Sequence, residues 1–193
     1  CGKTQILSHV PRSIDLEALA NHRGSAFGGN HTSQPCPIDF ENTLAVEQLK
    51  LGGLKPIAIE DESRTIGRLA IPESVFIAMQ HAPVVLVEAN EETRIANIYK
   101  EYVSDAENPQ AKLENSLNNI KRRMGGERHH SVRAQMREAF ADTDQEIHHH
   151  WIRKLLNWYY DPMYDYQVAR KESRIVFSGD SDAVLQFLRS ATN

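Results

Sequence analysis

The sequence predicts an α/β domain, a mostly parallel sheet flanked by helices, with a helical insertion before the last strand. The clearest strand is Pro83 to Val87, a continuous apolar run rich in β-branched residues, as expected of a strand buried on both faces. Strand and helix patterns alternate before it, and a long helical pattern follows before Arg174 to Phe177 returns to strand. We therefore expect three segments, which are a core over 1–104, a helical and partly basic segment over 105–165, and the last strand and helix over 166–193.

The other elements are predicted from capping residues, proline positions and apolar spacing. Thr143 and Glu146 have the spacing of a capping box, and behind them an apolar stripe recurs every four residues, which predicts a buried helix face. In chain order we expect a helix over 3–9, a strand over 13–15, a loop over 22–37, a helix capped by Asp39, a strand over 56–59, and helices opening at Pro72, Asn90, Asn108 and Ser181.

Composition narrows the class of protein. The 193 residues include 22 basic and 26 acidic ones, so the formal net charge is −4. No apolar run approaches the roughly 20 residues that cross a bilayer, which argues against a membrane protein. The only cysteines, Cys1 and Cys36, exclude a disulfide scaffold and a four-cysteine zinc site, and we expect a cytoplasmic protein.

The opening residues resemble part of a phosphate-binding loop. Gly2, Lys3 and Thr4 match the end of the pattern G-x-x-x-x-G-K-[ST]. In that pattern backbone N–H groups hold phosphate oxygens, the lysine contacts the outer phosphates and the threonine hydroxyl binds Mg²⁺. Because the first glycine and its strand are not in the sequence, we interpret the chain as a fragment of a P-loop NTPase-like fold. Residues 1–4, including Cys1, are the phosphate-binding candidates, and an exposed tail is the alternative.

Two acidic residues directly follow the strand predicted over 56–59. Glu60 and Asp61 stand at the expected C-terminal edge of a parallel strand, where phosphate-loop proteins keep the acid that organises Mg²⁺. We predict a magnesium site from Thr4 and Asp61, and catalytic roles for Glu60, Asp61 and Lys3. A solvated strand end is the alternative.

The loop over 22–37 is rich in glycine, proline and serine. Closely spaced glycines allow the backbone to approach a ligand, and the forked guanidinium of Arg23 suits phosphate. Arg23 is therefore a catalytic candidate, although composition alone favours a flexible surface loop. Cys36 is interpreted as an incidental loop cysteine.

Segment 121–137 is a basic island in an acidic chain. Its formal charge is +5, and the remainder carries −9. Such an island is typical of a site for a polyanion such as an RNA backbone, whereas a solvated helix face is the alternative. The candidate RNA-binding residues are Lys121, Arg122, Arg123, Arg128, His129, Arg133 and Arg137.

The histidines and aromatic residues predict no structural metal. His148, His149 and His150 are consecutive, and successive helical residues point about 100° apart, so the three cannot converge on one ion. Trp151 and Tyr159 belong to the predicted buried stripe. Trp158 and Tyr160 are candidates both for packing and for stacking against RNA bases.

Several blocks of the sequence carry a resemblance to a known family. The stretch from Asp15 to Gly28, followed by Gln34-Pro35 and Phe40-Glu41, resembles the signature of bacterial tRNA 2-selenouridine synthases. Ile59 to Gly67 and Leu69-x-x-Pro72 resemble a further block, and weaker likeness extends through almost the whole chain.

The resemblance implies a function. Members join an N-terminal rhodanese-like domain, which this chain lacks, to a C-terminal phosphate-loop domain. They act on the wobble uridine of tRNA, first S-geranylating 2-thiouridine with geranyl diphosphate and then forming 2-selenouridine with selenophosphate. Lys3, Thr4 and Mg²⁺ would stabilise the departing diphosphate with help from Arg23, and Phe27 is a candidate contact for the geranyl tail.

The resemblance also implies partners, namely tRNA, the rhodanese domain in the same protein and an enzyme that produces selenophosphate. We expect the fragment alone to be inactive, and whether ATP or GTP enters the loop stays open. Two alternatives remain, a P-loop kinase of small molecules or nucleotides, which would not explain the basic island, and a non-catalytic RNA-binding module.

Overall fold

The computed structural model describes residues 2–29 and 32–192, which divide into two compact units. The sheet unit comprises the described residues up to Glu88 together with 174–192, and the helical unit comprises 89–173. The chain therefore leaves the sheet unit once, forms the helical unit, and returns for its last strand and helix.

The sheet unit contains short strands flanked by helices. Its elements in order are α1 (Lys3–Ser8), β1 (Ser13–Ile14), α2 (Leu16–Ala20), α3 (Pro37–Leu51), β2 (Ala58–Ile59), β3 (Thr65–Ile66), β4 (Leu69–Ala70), α4 (Glu73–His81), β5 (Val84–Val87), then, after the helical unit, β6 (Ile175–Gly179) and α10 (Ser181–Thr192).

Parallel pairing dominates, as the sequence predicts. β1 pairs with β2, placing Ser13 opposite Ala58. β5 pairs with β6, although the helical unit separates these two strands in the sequence. β3 and β4 form an antiparallel hairpin, and Gly67 turns it with a φ of +59°, a left-handed conformation that favours glycine. The predicted α/β fold with an insertion before the last strand is confirmed.

Among the described residues, two apolar clusters hold this unit together. In one, Phe40 and Leu44 of α3 pack with Leu16 and with the hairpin residues Ile66 and Leu69, all of them buried. In the other, α1 and α10 meet through Ile6, Leu7 and Val184. α3 begins at Pro37, not at the predicted cap Asp39, because proline at the first helical position needs no N–H partner.

The helical unit is a set of packed helices. Its elements are α5 (Glu91–Tyr99) with a π-helical turn (Lys100–Ser104), α6 (Pro109–Met124), α7 (Gly126–Ala141), α8 (Glu146–Leu155) with a second π-helical turn (Leu156–Tyr160), α9 (Asp161–Lys171), and a 3₁₀ turn (Glu172–Arg174) at the boundary.

The predicted apolar stripe of α8 is confirmed as core. Trp151 is fully buried, Leu155 and Tyr159 are nearly so, and Ile147 is half-buried. The predicted capping box at Thr143 is wrong, because the Asp144 carboxylate accepts the Glu146 N–H at 2.9 Å instead. An aspartate two residues before the helix thus satisfies one of its free donors.

Candidate phosphate and metal site

Lys3 and Thr4 lie at the start of α1, directly after Gly2. Gly2 adopts a left-handed backbone conformation, with a φ of +80°, in which a side chain would be strained. Lys3 Nζ lies 3.2 Å from Glu62 Oε1, and the Thr4 hydroxyl donates to Glu60 Oε1 over 3.4 Å. The opening motif and the acids that follow β2 therefore meet in space, although 56 to 59 positions separate them.

Glu60 is the buried centre of this cluster. Its side chain is 3% exposed, and its second oxygen accepts the backbone N–H of Glu17 at 3.1 Å. Burial raises the pKa of Glu60 to about 7, aided by the charges of Asp15 and Glu17 and opposed by the Glu17 N–H and Lys3. Glu60 is consequently a carboxyl group that exchanges its proton near neutral pH.

Glu17 and Glu62 complete the cluster, and neither was among the site residues expected from the sequence. Burial and the charge of Glu62 raise the pKa of Glu17. Burial opposes the charged form of Lys3, but the carboxylates of Glu62, Glu60 and Glu17 outweigh it and raise the pKa of Lys3. The lysine therefore stays protonated among three acids.

Asp61, the predicted partner of Thr4 at the metal, occupies a different position. It is exposed, and Glu60, one residue earlier, is the carboxylate beside the Thr4 hydroxyl. The Glu62 N–H donates to the Glu60 carbonyl at 3.0 Å, so the chain turns tightly at Asp61 and brings the side chains of Glu60 and Glu62 to α1. The structure thus brings Glu60 to the place expected of Asp61.

The glycine-rich loop lies against the same acids. A Cβ on Gly24 would overlap the Glu62 carboxylate and lie 3.1 Å from Glu17 Oε1. The Arg23 N–H donates to the Gly28 carbonyl at 2.9 Å, and a Cβ on Gly28 would overlap the Arg23 backbone. Arg23 and Phe27 are half-buried at this loop. The loop is therefore a closed turn that covers part of the cluster.

Two cysteine predictions have simple outcomes. Cys1 lies outside the described residues. Cys36 is exposed just before α3, with its thiol 3.0 Å from Asp39 Oδ2. A neighbouring carboxylate is not the electropositive setting that activates a thiol, which fits the interpretation of Cys36 as incidental.

The structure divides the basic island. Lys121, Arg122, Arg123 and Arg128 are exposed around the junction of α6 and α7. His129 is 4% exposed, and burial, with help from the charges of Lys121 and Arg133, lowers its pKa. A buried neutral ring is not placed to contact a polyanion, so His129 is no longer a candidate RNA-binding residue.

The last two arginines of the island already hold a carboxylate. Arg133 and Arg137 donate to the two oxygens of Glu114 on α6, over 2.6 to 3.1 Å. These hydrogen bonds, Arg137 first, lower the pKa of Glu114 to about 2. Their charge is partly neutralised within the protein, and the exposed positive surface lies nearer the α6–α7 junction.

The structure also clarifies the histidine cluster. His148 is buried, and its Nδ1 accepts the indole N–H of Trp151 at 3.1 Å, which is a packing role. Over the described residues there is no group of three or more His, Cys, Asp or Glu side chains that could hold a metal ion. None of the described helices combines the length and apolar character needed to cross a membrane.

Comparisons with known proteins agree with the resemblance of the sequence blocks. The family model described as "tRNA 2-selenouridine synthase AAA domain" matches residues 1–193. Proteins named tRNA 2-selenouridine synthase from Pseudomonas fluorescens (strain Pf0-1) and Bordetella bronchiseptica are each 42% identical over 97% of this chain. One from Marinobacter nauticus is 42% identical over the whole chain.

The chain spans between 56% and 58% of the length of these relatives. No solved structure matches. The match of the family model over all residues, together with the level of identity, settles membership. The chain belongs to the tRNA 2-selenouridine synthase AAA domain family.

Proposed function

We propose that this chain is the phosphate-handling domain of an enzyme that modifies the wobble 2-thiouridine of tRNA. The enzyme would S-geranylate the base with geranyl diphosphate and then replace sulfur by selenium from selenophosphate. The observation that supports the proposal is the meeting of Lys3 and Thr4 with the acids after β2, in a chain related to proteins named tRNA 2-selenouridine synthase.

In the geranyl step the substrate supplies the nucleophile. The sulfur of 2-thiouridine forms a bond to the first carbon of the geranyl chain, the carbon–oxygen bond breaks, and diphosphate leaves with the bonding electrons. The base then loses its N3 proton to solvent. Lys3 is a fixed positive charge that would stabilise the negative charge growing on that leaving group. The protein then needs no nucleophile of its own, in keeping with an incidental Cys36.

The donor set around Thr4 suits magnesium. Mg²⁺ prefers hard oxygen ligands and is commonly held by one or two carboxylates together with substrate phosphates. The Thr4 hydroxyl and the Glu60 carboxylate are such oxygens, and they already lie within hydrogen-bond distance of each other. When bound there, Mg²⁺ would neutralise charge on the phosphate oxygens.

The test uses the full-length protein with thiouridine-containing tRNA, geranyl diphosphate and Mg²⁺. Mass spectrometry of the tRNA should reveal the added geranyl group, and Lys3→Ala should slow its appearance by about 100-fold, as expected when one charge-stabilising donor is lost. Lys50→Ala is the matched control, because Lys50 pairs with Glu47 at 2.7 Å in the same unit. No product, with brisk ATP-dependent phosphorylation of a metabolite instead, would favour a kinase.

A second pair of variants separates the two acids. Glu60→Ala should abolish most of the activity, whereas Asp61→Ala should retain it, since Glu60 is the carboxylate that accepts the Thr4 hydroxyl. If Asp61→Ala abolishes the activity and Glu60→Ala retains it, Asp61 is the acid that binds the metal. tRNA binding that is unchanged in Lys3→Ala, without turnover by the wild-type protein, would instead favour a non-catalytic RNA-binding module.

A further inference from the structure

A small cavity lies in the helical unit, whereas the candidate phosphate site belongs to the sheet unit. Its volume is about 270 Å³, just below the usual range of small-molecule pockets. The lining residues are Gln135, His150, Arg153, Lys154, Asn157 and Trp158. They come from α7, from α8 and from the π-helical turn that follows α8, and the proposed chemistry of the phosphate site uses none of them.

The π-helical turn explains why an indole lines this cavity. The turn Leu156–Tyr160 widens the helix locally and shifts the side chains that follow. Leu156 and Tyr159 are buried, whereas Trp158 is half-buried and lines the cavity. Single π-helical turns inside helices are frequent at functional sites.

Two cations lie close to the indole. Lys154 Nζ is 5.3 Å from the centre of the Trp158 ring, and the guanidinium carbon of Arg128, a member of the basic island, is 5.9 Å from it. Lys154 also donates to the Ser131 hydroxyl at 3.1 Å. Within the described ranges neither cation forms an ion pair with a carboxylate, whereas Arg153 is held by Glu91 and Glu92.

One residue of the cavity wall carries an acceptor that lacks a donor. Gln135 Oε1 is buried and, among the residues that the structure describes, has no hydrogen-bond partner. An unsatisfied buried acceptor is unfavourable, and a ligand that brings an N–H group would satisfy it. Asn157 adds a second amide to the wall.

We propose that this cavity binds one nucleotide of an unpaired tRNA segment. The base would lie against Trp158 and donate to Gln135, while Lys154 and Arg128 would contact the flanking phosphates. Unpaired bases are recognised by aromatic stacking and by amides at the base edge, and phosphates by lysine and arginine. The inference rests on the proposed function, since it takes tRNA as the substrate.

The test measures tRNA binding by the full-length protein as salt is varied. Trp158→Ala should weaken binding by about 10- to 100-fold without changing the salt dependence, because stacking releases no counterions. Lys154→Ala should reduce the salt slope by about one. Tyr166→Ala is the matched control, because Tyr166 is an exposed aromatic of the same unit beneath Arg170, at 5.8 Å, and it should bind as wild type does.

Photo-crosslinking of the wild-type protein keeps the test independent of whether variants fold. Irradiation with tRNA should link RNA to the peptide that contains Trp158. Crosslinks elsewhere without one at this peptide, or wild-type affinity in Trp158→Ala, would overturn the nucleotide site and leave the proposed function standing. A wild-type protein that does not bind tRNA would overturn both, and a protein partner captured through Trp158 in place of RNA would overturn this site.

Discussion

Replacing Glu60 by glutamine should change how the stability of the sheet unit depends on pH. The pKa of Glu60 rises from 4.5 to about 7 on folding. The folded protein therefore binds a proton more tightly than the unfolded chain, and its free energy of unfolding falls as the pH rises from 4.5 to 7. Below and above this window both states carry the same proton count at this group, and its contribution is constant.

The magnitude follows from the size of the shift. Each pKa unit corresponds to 1.36 kcal/mol, so a shift of this size lowers the free energy of unfolding by about 3 kcal/mol across the window. Glutamine cannot ionise, so the Glu60→Gln protein lacks this loss. Its altered hydrogen bonds to Thr4 and to the Glu17 N–H add an offset, but that offset does not vary with pH.

The assay is urea unfolding at pH 4.5 to 8, read by hydrogen-exchange mass spectrometry on peptides of the sheet unit. Relative to wild type, Glu60→Gln should gain about 3 kcal/mol between the ends of this range. Glu73→Gln is the contrasting control, because the Arg64 hydrogen bond lowers the pKa of exposed Glu73, so any pH effect at this residue has the opposite sign. A difference between Glu60→Gln and wild type that stays constant with pH would refute the buried proton at Glu60.

Three further predictions follow from the packing. Gly24→Ala should displace the Glu62 carboxylate from its contact with Lys3 and lower the rate of geranyl transfer, measured by tRNA mass spectrometry, with little effect on tRNA affinity. Glu114→Gln should release its two arginine partners, tighten tRNA binding and steepen its salt dependence, measured by titration at several ionic strengths. Trp151→Ala should destabilise the helical unit by about 3 to 5 kcal/mol in urea unfolding, because it empties a fully buried site.

The fold was predictable where a pattern repeats over enough residues. The run Pro83 to Val87 contains β5 and the stripe through Trp151 is buried, so both predicted elements are confirmed. The expectation that β5 is buried on both faces is wrong, because Val84–Val87 are only half-buried. The β3–β4 hairpin was missed, because strands of two residues are too short to show an alternation. Its only local signal is Gly67, whose positive φ marks the turn.

The site was predictable only in part. A motif predicted Lys3 and Thr4, and the end of a strand predicted Glu60. Glu17 and Glu62 join the site through contacts that depend on the tertiary fold. Glu17 lies inside the block that carried the family resemblance, and Glu62 closes the run of acids after β2. Those two signals could have identified them.

The formal charge of the basic island also could not identify the RNA-binding candidates correctly, because it contains no information about tertiary contacts. A sum over residues does not show which cations already have a carboxylate, and Glu114 lies 19 and 23 positions from its two arginines. It also could not show that Arg128 would approach Trp158. The two contacts have opposite consequences, since one removes positive charge from the candidate RNA-binding residues and the other places it beside an aromatic ring.

The charge balance of the phosphate site decides what kind of anion it can accept. Glu17, Glu60 and Glu62 surround Lys3, so the fully ionised cluster is net negative and would repel a free diphosphate. The raised pKa values of Glu60 and Glu17 reduce that repulsion through bound protons, and a divalent cation beside Thr4 would reduce it further. We therefore expect diphosphate to bind as its magnesium complex, or at lower pH, because one lysine cannot outweigh three carboxylates.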